Sequence, residues 1–212
     1  LEINVEERWA RAQAGVVKDQ LNAAIEAQGL FFAPELSPSN RATIGGMIAT
    51  DASGQGSVLY GKTRDHVLEL KTVLLDGSTW HSRPLDTAAF DVAKARPDRV
   101  GAIHRLLDRI RVDDAELIAS TFPKLNRCVT GYDLVHLCDH CGRFNLNSVL
   151  CGAEGSLAFV TEAKISLTPI PRCTALLNIR YDSFVAALRD AAALVRLEAA
   201  ATETVDATVL AL

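Results

Sequence analysis

A glycine-rich segment between residues 45 and 61 constrains this chain more than any other feature. It holds five of the 13 glycines, interleaved with small residues such as Ala49, Ala52 and Ser57. A residue without Cβ is needed where another group approaches the main chain closely. Amides in such a segment, together with the start of a helix, can bind phosphate oxygens. The segment therefore predicts a dinucleotide cradle, and a tight turn with close helix packing is the alternative for any single glycine pair.

Composition limits the class of protein. The 212 residues are 49% hydrophobic and 23% charged, which is enough apolar material for one sizeable core or two small ones and excludes a disordered chain. With 22 basic against 26 acidic residues, the formal charge of −4 argues against a nucleic-acid partner. No run approaches the ~18 apolar residues of a membrane span.

The ends of the chain and its cysteines indicate what kind of protein it comes from and in which compartment. It begins with Leu1 rather than Met, carries no basic leader, and ends in apolar sequence at Leu212, so we expect a fragment of a longer protein. Five scattered cysteines do not indicate a disulfide framework and fit a reducing compartment. We therefore expect a cytoplasmic protein, free or at the periphery of a membrane.

Hydrophobic periodicity predicts the elements that surround the glycine-rich segment. Residues 16–28 form an amphipathic helix that Gly29 ends, and an extended stretch follows at 30–33. Residues 68–81 form a hairpin whose Asp76-Gly77 pair indicates a type I′ turn. One or two helices occupy residues 99–119.

The sequence of the C-terminal part predicts a strand that ends at two prolines, followed by a second structural unit. Alternation at Ala163, Ile165 and Leu167 is typical of a strand, and Pro169 and Pro171 stop it. Beyond them we expect a strand at 174–181, a helix that Asp182 or Ser183 caps, and the beginning of another strand at 203–212. The helix carries an apolar stripe that we interpret as core packing, made up of Phe184, Leu188, Ala191 and Val195.

Two long motifs resemble those of a known family. The first is Thr43–Gly54 (TIGGMIATDASG) followed by Tyr60–Asp65 (YGKTRD), and the second is Leu150–Ala163 (LCGAEGSLAFVTEA). Both are similar, in the same order, to motifs of the FAD-linked oxidases, which share the fold of vanillyl-alcohol oxidase. The second motif departs from the family pattern in having Ser156 for the usual Thr and Ala158 for the usual Gly, and both replacements are small.

Finer similarity points to one branch of that family. Phe122–Arg127 and Thr130–Leu134 are most similar to long bacterial members in which a flavin domain is fused to an iron–sulfur domain. The resemblance implies an α+β fold: the second subdomain of a PCMH-type FAD-binding domain, a mostly antiparallel sheet flanked by helices, over residues 1–171. Residues 172–212 are then the start of a truncated α+β cap domain.

The resemblance also implies an activity and a cofactor site. The parent protein would use FAD to oxidise a D-2-hydroxy acid to the 2-oxo acid, and electrons would pass to its iron–sulfur domain or to a quinone. The family's first phosphate loop lies upstream of Leu1 and its catalytic and metal-binding histidines lie beyond Leu212, so we expect half a cofactor site, no catalytic residue and no metal ligand. The implied flavin contacts are Ser37, Pro38, Thr43, Ile44, Gly45, Gly46, Asp51, Ala52, Ser53, Gly54, Tyr60, Gly61, Glu154, Gly155, Phe159 and Val160.

Several residues could carry other chemistry. Cys128, Cys138, Cys141 and Cys151, with His136 and His140 beside them, could bind zinc or an iron–sulfur cluster, but no second CxxC pair exists and we favour loop cysteines.

Two further interpretations concern histidines and charged side chains. We interpret His81 and His104 as histidines that satisfy their own hydrogen bonds. We interpret Lys62, Arg64 and Asp65 as a solvated turn, with contact to the cofactor as the alternative.

Two other functions compete with the flavoenzyme hypothesis. The chain could be a folded module that retains no flavin and serves only interdomain or subunit contacts. It could also belong to a molybdenum-hydroxylase flavin subunit, but those chains diverge from the Tyr60-Gly61 and Glu154-Gly155 phrasing.

Overall fold

A five-stranded antiparallel sheet forms the centre of the computed structural model, which describes residues 1–125 and 132–210. Its strands lie in the order β1-β2-β6-β4-β5, and β3 pairs with β7 in a separate two-stranded sheet. In chain order the strands are β1 (Glu2–Asn4), β2 (Trp9–Gln13), β3 (Leu30–Phe31), β4 (Val67–Leu74), β5 (Thr79–Ser82), β6 (Ala158–Ser166) and β7 (Thr168–Pro169).

Helices cover the sheet and connect its strands. A 3₁₀ turn at Glu26–Gln28 extends the first of them. In chain order the helices are α1 (Lys18–Ile25), α2 (Ile44–Ala49), α3 (Ser57–Tyr60), α4 (Thr63–His66), α5 (Thr87–Ala95), α6 (Arg99–Asp113), α7 (Ala115–Thr121), α8 (Asn147–Leu150), α9 (Phe184–Val195) and α10 (Ala207–Leu210). This arrangement is the predicted α+β class, with an antiparallel sheet flanked by helices.

The core lies between the sheet and the helices α1 and α2. Leu21 of α1, Ile44 and Ile48 of α2, and Leu70 and Ile165 of the two central strands are all completely buried. Each such aliphatic side chain contributes about 1.5–3 kcal/mol when it is removed from water. The core therefore fixes α2, and with it the glycine-rich segment, against β6.

The opposite face of the sheet is covered by charged side chains. Arg11 donates to Glu162 across β2 and β6 (3.2 Å), and Lys71 binds the same carboxylate from β4 (2.8 Å). His81 contacts Glu69 at 2.8 Å. Exposed pairs contribute at most about 1 kcal/mol each, so this face supplies strand register and solubility more than stability.

A second, smaller core joins α5 and α6 to the loop before α8. The rings of Phe90 and Phe144 stack with their centroids 4.0 Å apart. His104 lies buried beside them, and its Nδ1 contacts the main-chain oxygen of Val100 at 2.7 Å. Burial lowers the pKa of His104 below its ordinary value. The interpretation of His81 and His104 as satisfied histidines is confirmed.

Most of the elements predicted before the prolines are present. Gly29 ends the first helical segment with φ of 69°, as expected for a left-handed cap. The hairpin of β4 and β5 also forms, but its connection is not a two-residue turn. Leu74 donates to Ser78 and Gly77 donates to Leu74, so three residues form the loop, and Gly77 takes the positive φ. The strands β1 and β2 and the helix α5 were not predicted.

Two predictions beyond Pro171 are wrong. Residues 174–181 form no strand in the described part of the chain, because no neighbouring strand pairs with them there. The short helix α10 replaces the strand expected at 203–210, and residues 211–212 lie outside the description.

The predicted helix α9 is confirmed, with Ser183 accepting from the amide of Ala186 at its start. Its apolar stripe is not core packing, since Phe184 and Leu188 are about half exposed. The division into units at residue 171 stays a prediction.

Candidate functional site

The glycine pair lies at the start of α2, where the chain turns into the sheet. The amide of Ile44 donates to the oxygen of Val16, and that of Gly45 donates to the oxygen of Ala14, each at 2.8 Å. The amide of Gly46 donates to the hydroxyl of Thr43, the residue that caps the helix. The expectation that these amides point at phosphate oxygens is therefore wrong, because the protein already uses them.

Close packing explains the glycines instead. A Cβ on Gly45 would lie 2.7 Å from the Cβ of Ala14, and one on Gly54 would lie 2.4 Å from the oxygen of Glu35. Neither separation is possible between non-bonded atoms, so only glycine fits at these two positions. The small residues let α2 and the segment after it lie directly against neighbouring main chain.

The end of α2 binds the second motif. The oxygen of Ile48 accepts from the amide of Gly152 (2.9 Å), and the oxygen of Ala49 accepts from the amide of Glu154 (2.8 Å). Carbonyls at a helix end have no partner within the helix, so these bonds satisfy them. The structure thus joins two motifs that lie about a hundred residues apart in sequence.

An open strand edge adjoins both motifs. Strand β2 ends at Gln13, opposite Glu162, so the first residues of β6 pair only with β4 among the described strands. Ala14 then donates to the oxygen of Thr161, and this residue links the edge to the start of α2. Phe159 on this edge is 70% exposed.

The remaining predicted contacts lie around these elements. Ser37 and Pro38 are exposed and follow Leu36, whose Cα would lie 3.5 Å from a Cβ on Gly54. Tyr60 packs edge-on against the ring of Phe31 (5.6 Å between centroids), and Gly61 has a φ of 79°. Val160 packs on the main core, so its side chain is turned away from the exposed edge.

The three charged residues after Tyr60 do not form a solvated turn. Lys62 is buried, and its Nζ lies 2.6 Å from Oδ2 of Asp51, itself buried. Arg64 donates its amide to Oδ1 of Asp51 (2.9 Å) and pairs through its guanidinium with Asp133. Only the side chain of Asp65 is substantially exposed. A lysine in a charged run indicates surface from sequence, so nothing in the pattern predicted this burial.

The cysteines show no metal geometry in the part of the chain that the structure describes, where no three His, Cys, Asp or Glu groups converge. Cys138 and Cys141 are exposed in a turn, and Cys128 lies outside the described residues. Cys151 is buried in the second motif, and burial together with the charge of Asp51 raises the pKa of its thiol well above the ordinary value.

The chain is similar in sequence to several known proteins. Residues 1–83 match a family model described as FAD binding domain. The chain is 66% identical over all 212 residues to D-2-hydroxyglutarate dehydrogenase of Pseudomonas putida and covers 21% of that protein. It is 49% identical to the Escherichia coli protein of the same name, with 99% of the chain and 21% of the relative covered. It is 30% identical to glycolate oxidase subunit GlcD of Bacillus subtilis, with 88% of the chain and 29% of the relative covered.

Residues 1–83 are therefore part of a PCMH-type FAD-binding domain, whose cofactor is FAD, and the whole chain is similar in sequence to D-2-hydroxyglutarate dehydrogenases. It spans about a fifth of the length of the dehydrogenases that it resembles most in the comparisons above.

The residues present fit one wall of an FAD site. Gly155 has a φ of 77°, and a Cβ added there would meet nothing within 4 Å, so its main chain faces open space. Gly46 and Thr50 are exposed on α2, and Phe159 is exposed on β6. Among the described residues the amides of Gly54 and Gln55 donate to no protein acceptor. Exposed main chain with few side chains, next to an apolar ring, suits a flat cofactor that polar groups orient.

One finding concerns the membrane. Over residues 1–125 and 132–210, no helix has both the length and the apolar character that crossing a bilayer requires.

Proposed function

We propose that this chain forms one side of the FAD site in a dehydrogenase that oxidises a D-2-hydroxy acid to the 2-oxo acid. The observation that carries the proposal is the union of the two motifs at the end of α2, where Ile48 and Ala49 accept from the amides of Gly152 and Glu154. That union leaves Gly155 open to solvent next to α2. The relatives named D-2-hydroxyglutarate dehydrogenase suggest that the acid is D-2-hydroxyglutarate.

The chemistry divides between the cofactor and the chain. Bound FAD supplies a hydride acceptor, its N5 atom, for the hydrogen on C2 of the hydroxy acid. In this chain, main-chain groups around Gly155 and the β6 edge would hold the flavin, and the exposed Phe159 would contact it. We assign no proton transfer to its residues. We further propose that the electrons leave through an iron–sulfur domain of the parent protein or through a quinone, and that the protein works in the cytoplasm or at a membrane surface.

The proposal can be tested on the full-length natural protein. Purified protein should carry a flavin absorbance, and D-2-hydroxyglutarate should bleach it under anaerobic conditions, while L-2-hydroxyglutarate should not. D-lactate is the comparison substrate, because it is a D-2-hydroxy acid that lacks the second carboxylate. Protein that carries no flavin and takes up none from added FAD would contradict the proposal.

A second candidate has one observation in its favour. The internal use of the Ile44 and Gly45 amides shows that packing alone can account for the glycine pair. A flavin-free module for contacts between domains therefore remains the alternative for this chain. It predicts a colourless protein whose melting temperature does not change when FAD is added, whereas a ligand that binds the folded state raises that temperature.

A further inference from the structure

We propose that the ion pair of Asp51 and Lys62 is a positioning device: it holds the first motif of the FAD site in the conformation on which the second motif packs, without itself touching the flavin. This inference rests on the proposed function. The charged groups are withdrawn from the surface, since the side chains of Lys62 and Asp51 are only 2% and 8% exposed. Their effect on the cofactor must therefore pass through the main chain that they hold.

Both carboxylate oxygens of Asp51 have protein partners. Oδ2 lies 2.6 Å from Nζ of Lys62, and Oδ1 accepts from the amide of Arg64 at 2.9 Å. A buried carboxylate of this kind is stable only when it is paired and hydrogen-bonded. The pair thus ties the turn after α2 to the residue that caps the start of α4.

The main chain at Asp51 needs that support. Its φ is 46°, in the left-handed region where a residue with a Cβ is strained by about 1 kcal/mol or more. Its Cβ lies 3.3 Å from where a Cβ on Gly152 would be, so the loop of the second motif packs directly on it. The position of Asp51 therefore sets how closely the loop 152–155 approaches α2.

The same network reaches the other end of that loop. Arg64 pairs with Asp133, and the hydroxyl of the neighbouring Tyr132 contacts the hydroxyl of Ser156 at 3.0 Å. Burial opposes ionisation of Asp133, but the hydrogen bond from His136 and the charge of Arg64 together hold its pKa below the usual value. The loop that carries Gly155 is thus fixed before and after its exposed tip.

The pair explains why a charged residue follows Tyr60-Gly61 and is buried. If Lys62 loses its charge while Asp51 keeps its own, the carboxylate keeps only the more distant Arg64 guanidinium (4.0 Å) as a cationic partner and must find water. The left-handed turn then relaxes, and the loop at Gly155 loses its fixed distance from α2. Removing both charges leaves no carboxylate to hydrate and disturbs the loop less.

The test compares variants of the full-length natural protein in FAD affinity, followed by flavin fluorescence, and in the visible circular dichroism of the bound flavin. We expect Lys62→Met to weaken FAD binding by about tenfold or more and to change the dichroism. Lys62→Arg should retain most of the wild-type FAD affinity and most of the wild-type dichroism. Asp51→Asn combined with Lys62→Met should lie closer to wild type than Lys62→Met alone. The control is Lys94→Met, which removes a lysine that bridges Asp91 and Asp108 far along the chain.

The outcomes separate the two proposals. Wild type that binds no FAD refutes the proposed function, and this inference with it. Wild type that binds FAD while Lys62→Met keeps both its affinity and its dichroism refutes the positioning role alone, even if that variant unfolds more easily. If Lys62→Met does not fold, the double variant and Lys62→Arg decide. The inference would be overturned if the double variant kept the flavin dichroism of the wild type while Lys62→Arg lost it.

Discussion

Replacing Gly45 by alanine tests whether the glycine pair serves packing or phosphate binding. The new Cβ would lie 2.7 Å from the Cβ of Ala14, 3.1 Å from its oxygen and 3.3 Å from its Cα. Carbon atoms in contact prefer about 3.5–4.0 Å, so the start of α2 must move by about 0.8 Å or more. The bond from the Gly45 amide to the oxygen of Ala14, now 2.8 Å, would be stretched beyond hydrogen-bond range.

The expected loss of stability follows from these terms. Overpacking costs about 1–3 kcal/mol, and the lost hydrogen bond adds about 1 kcal/mol. Alanine is favoured over glycine in a helix by about 0.5–1 kcal/mol, which offsets part of this. We therefore expect Gly45→Ala to lower the free energy of unfolding by about 1–3 kcal/mol.

The assay is urea unfolding of the full-length natural protein, followed by far-ultraviolet circular dichroism, with an FAD titration of each variant. Gly15→Ala is the matched control, because it lies beside the same Ala14 and a Cβ there would meet nothing within 4 Å. It should lose no stability. Combining Gly45→Ala with Ala14→Gly removes the closest clash but not those with the oxygen and Cα of residue 14, so we expect a partial rescue.

One result would refute this reasoning. If Gly45→Ala unfolds like Gly15→Ala but binds FAD much more weakly, the glycine is present for the cofactor and not for the packing of α2. The direct-contact interpretation would then replace the packing interpretation at this position.

Three further predictions use other sites. Phe159→Ala should change the free energy of unfolding by less than about 0.5 kcal/mol, because the residue is 70% exposed. It should nevertheless weaken FAD binding in a fluorescence titration, and an unchanged affinity would contradict the proposed contact with the flavin. Gly54→Ala should lower the urea midpoint, because its Cβ would lie 2.4 Å from the oxygen of Glu35, and a midpoint equal to wild type would refute the close packing there. Burial lowers the pKa of His104 in the folded protein, so the unfolded state takes up a proton first as the pH falls below the ordinary value of 6.5. Stability should therefore be full above that pH and decline below it, and His104→Gln should flatten this part of a plot of unfolding free energy against pH.

The sequence alone was a good guide to elements whose signals are local. Gly29 ends a helix and Gly77 lies in a turn, each with a positive φ. Both positions can be predicted from the sequence because glycine adopts that conformation without strain. The helix α9 begins at a serine that caps it, another signal within a few residues. The strand at 174–181 failed for the opposite reason, since a strand exists only where a partner pairs with it.

What the sequence determined by itself about the site was its resemblance to a flavin-binding family, carried by two long motifs in the same order and by main chain with few large side chains. Only the tertiary structure decided how these residues are used. It directs the Ile44 and Gly45 amides into the protein, joins Gly152 to the end of α2, and buries Lys62 against Asp51. Whether a donor is free and whether a charge is buried depend on atoms distant in the chain, and no local pattern encodes those atoms.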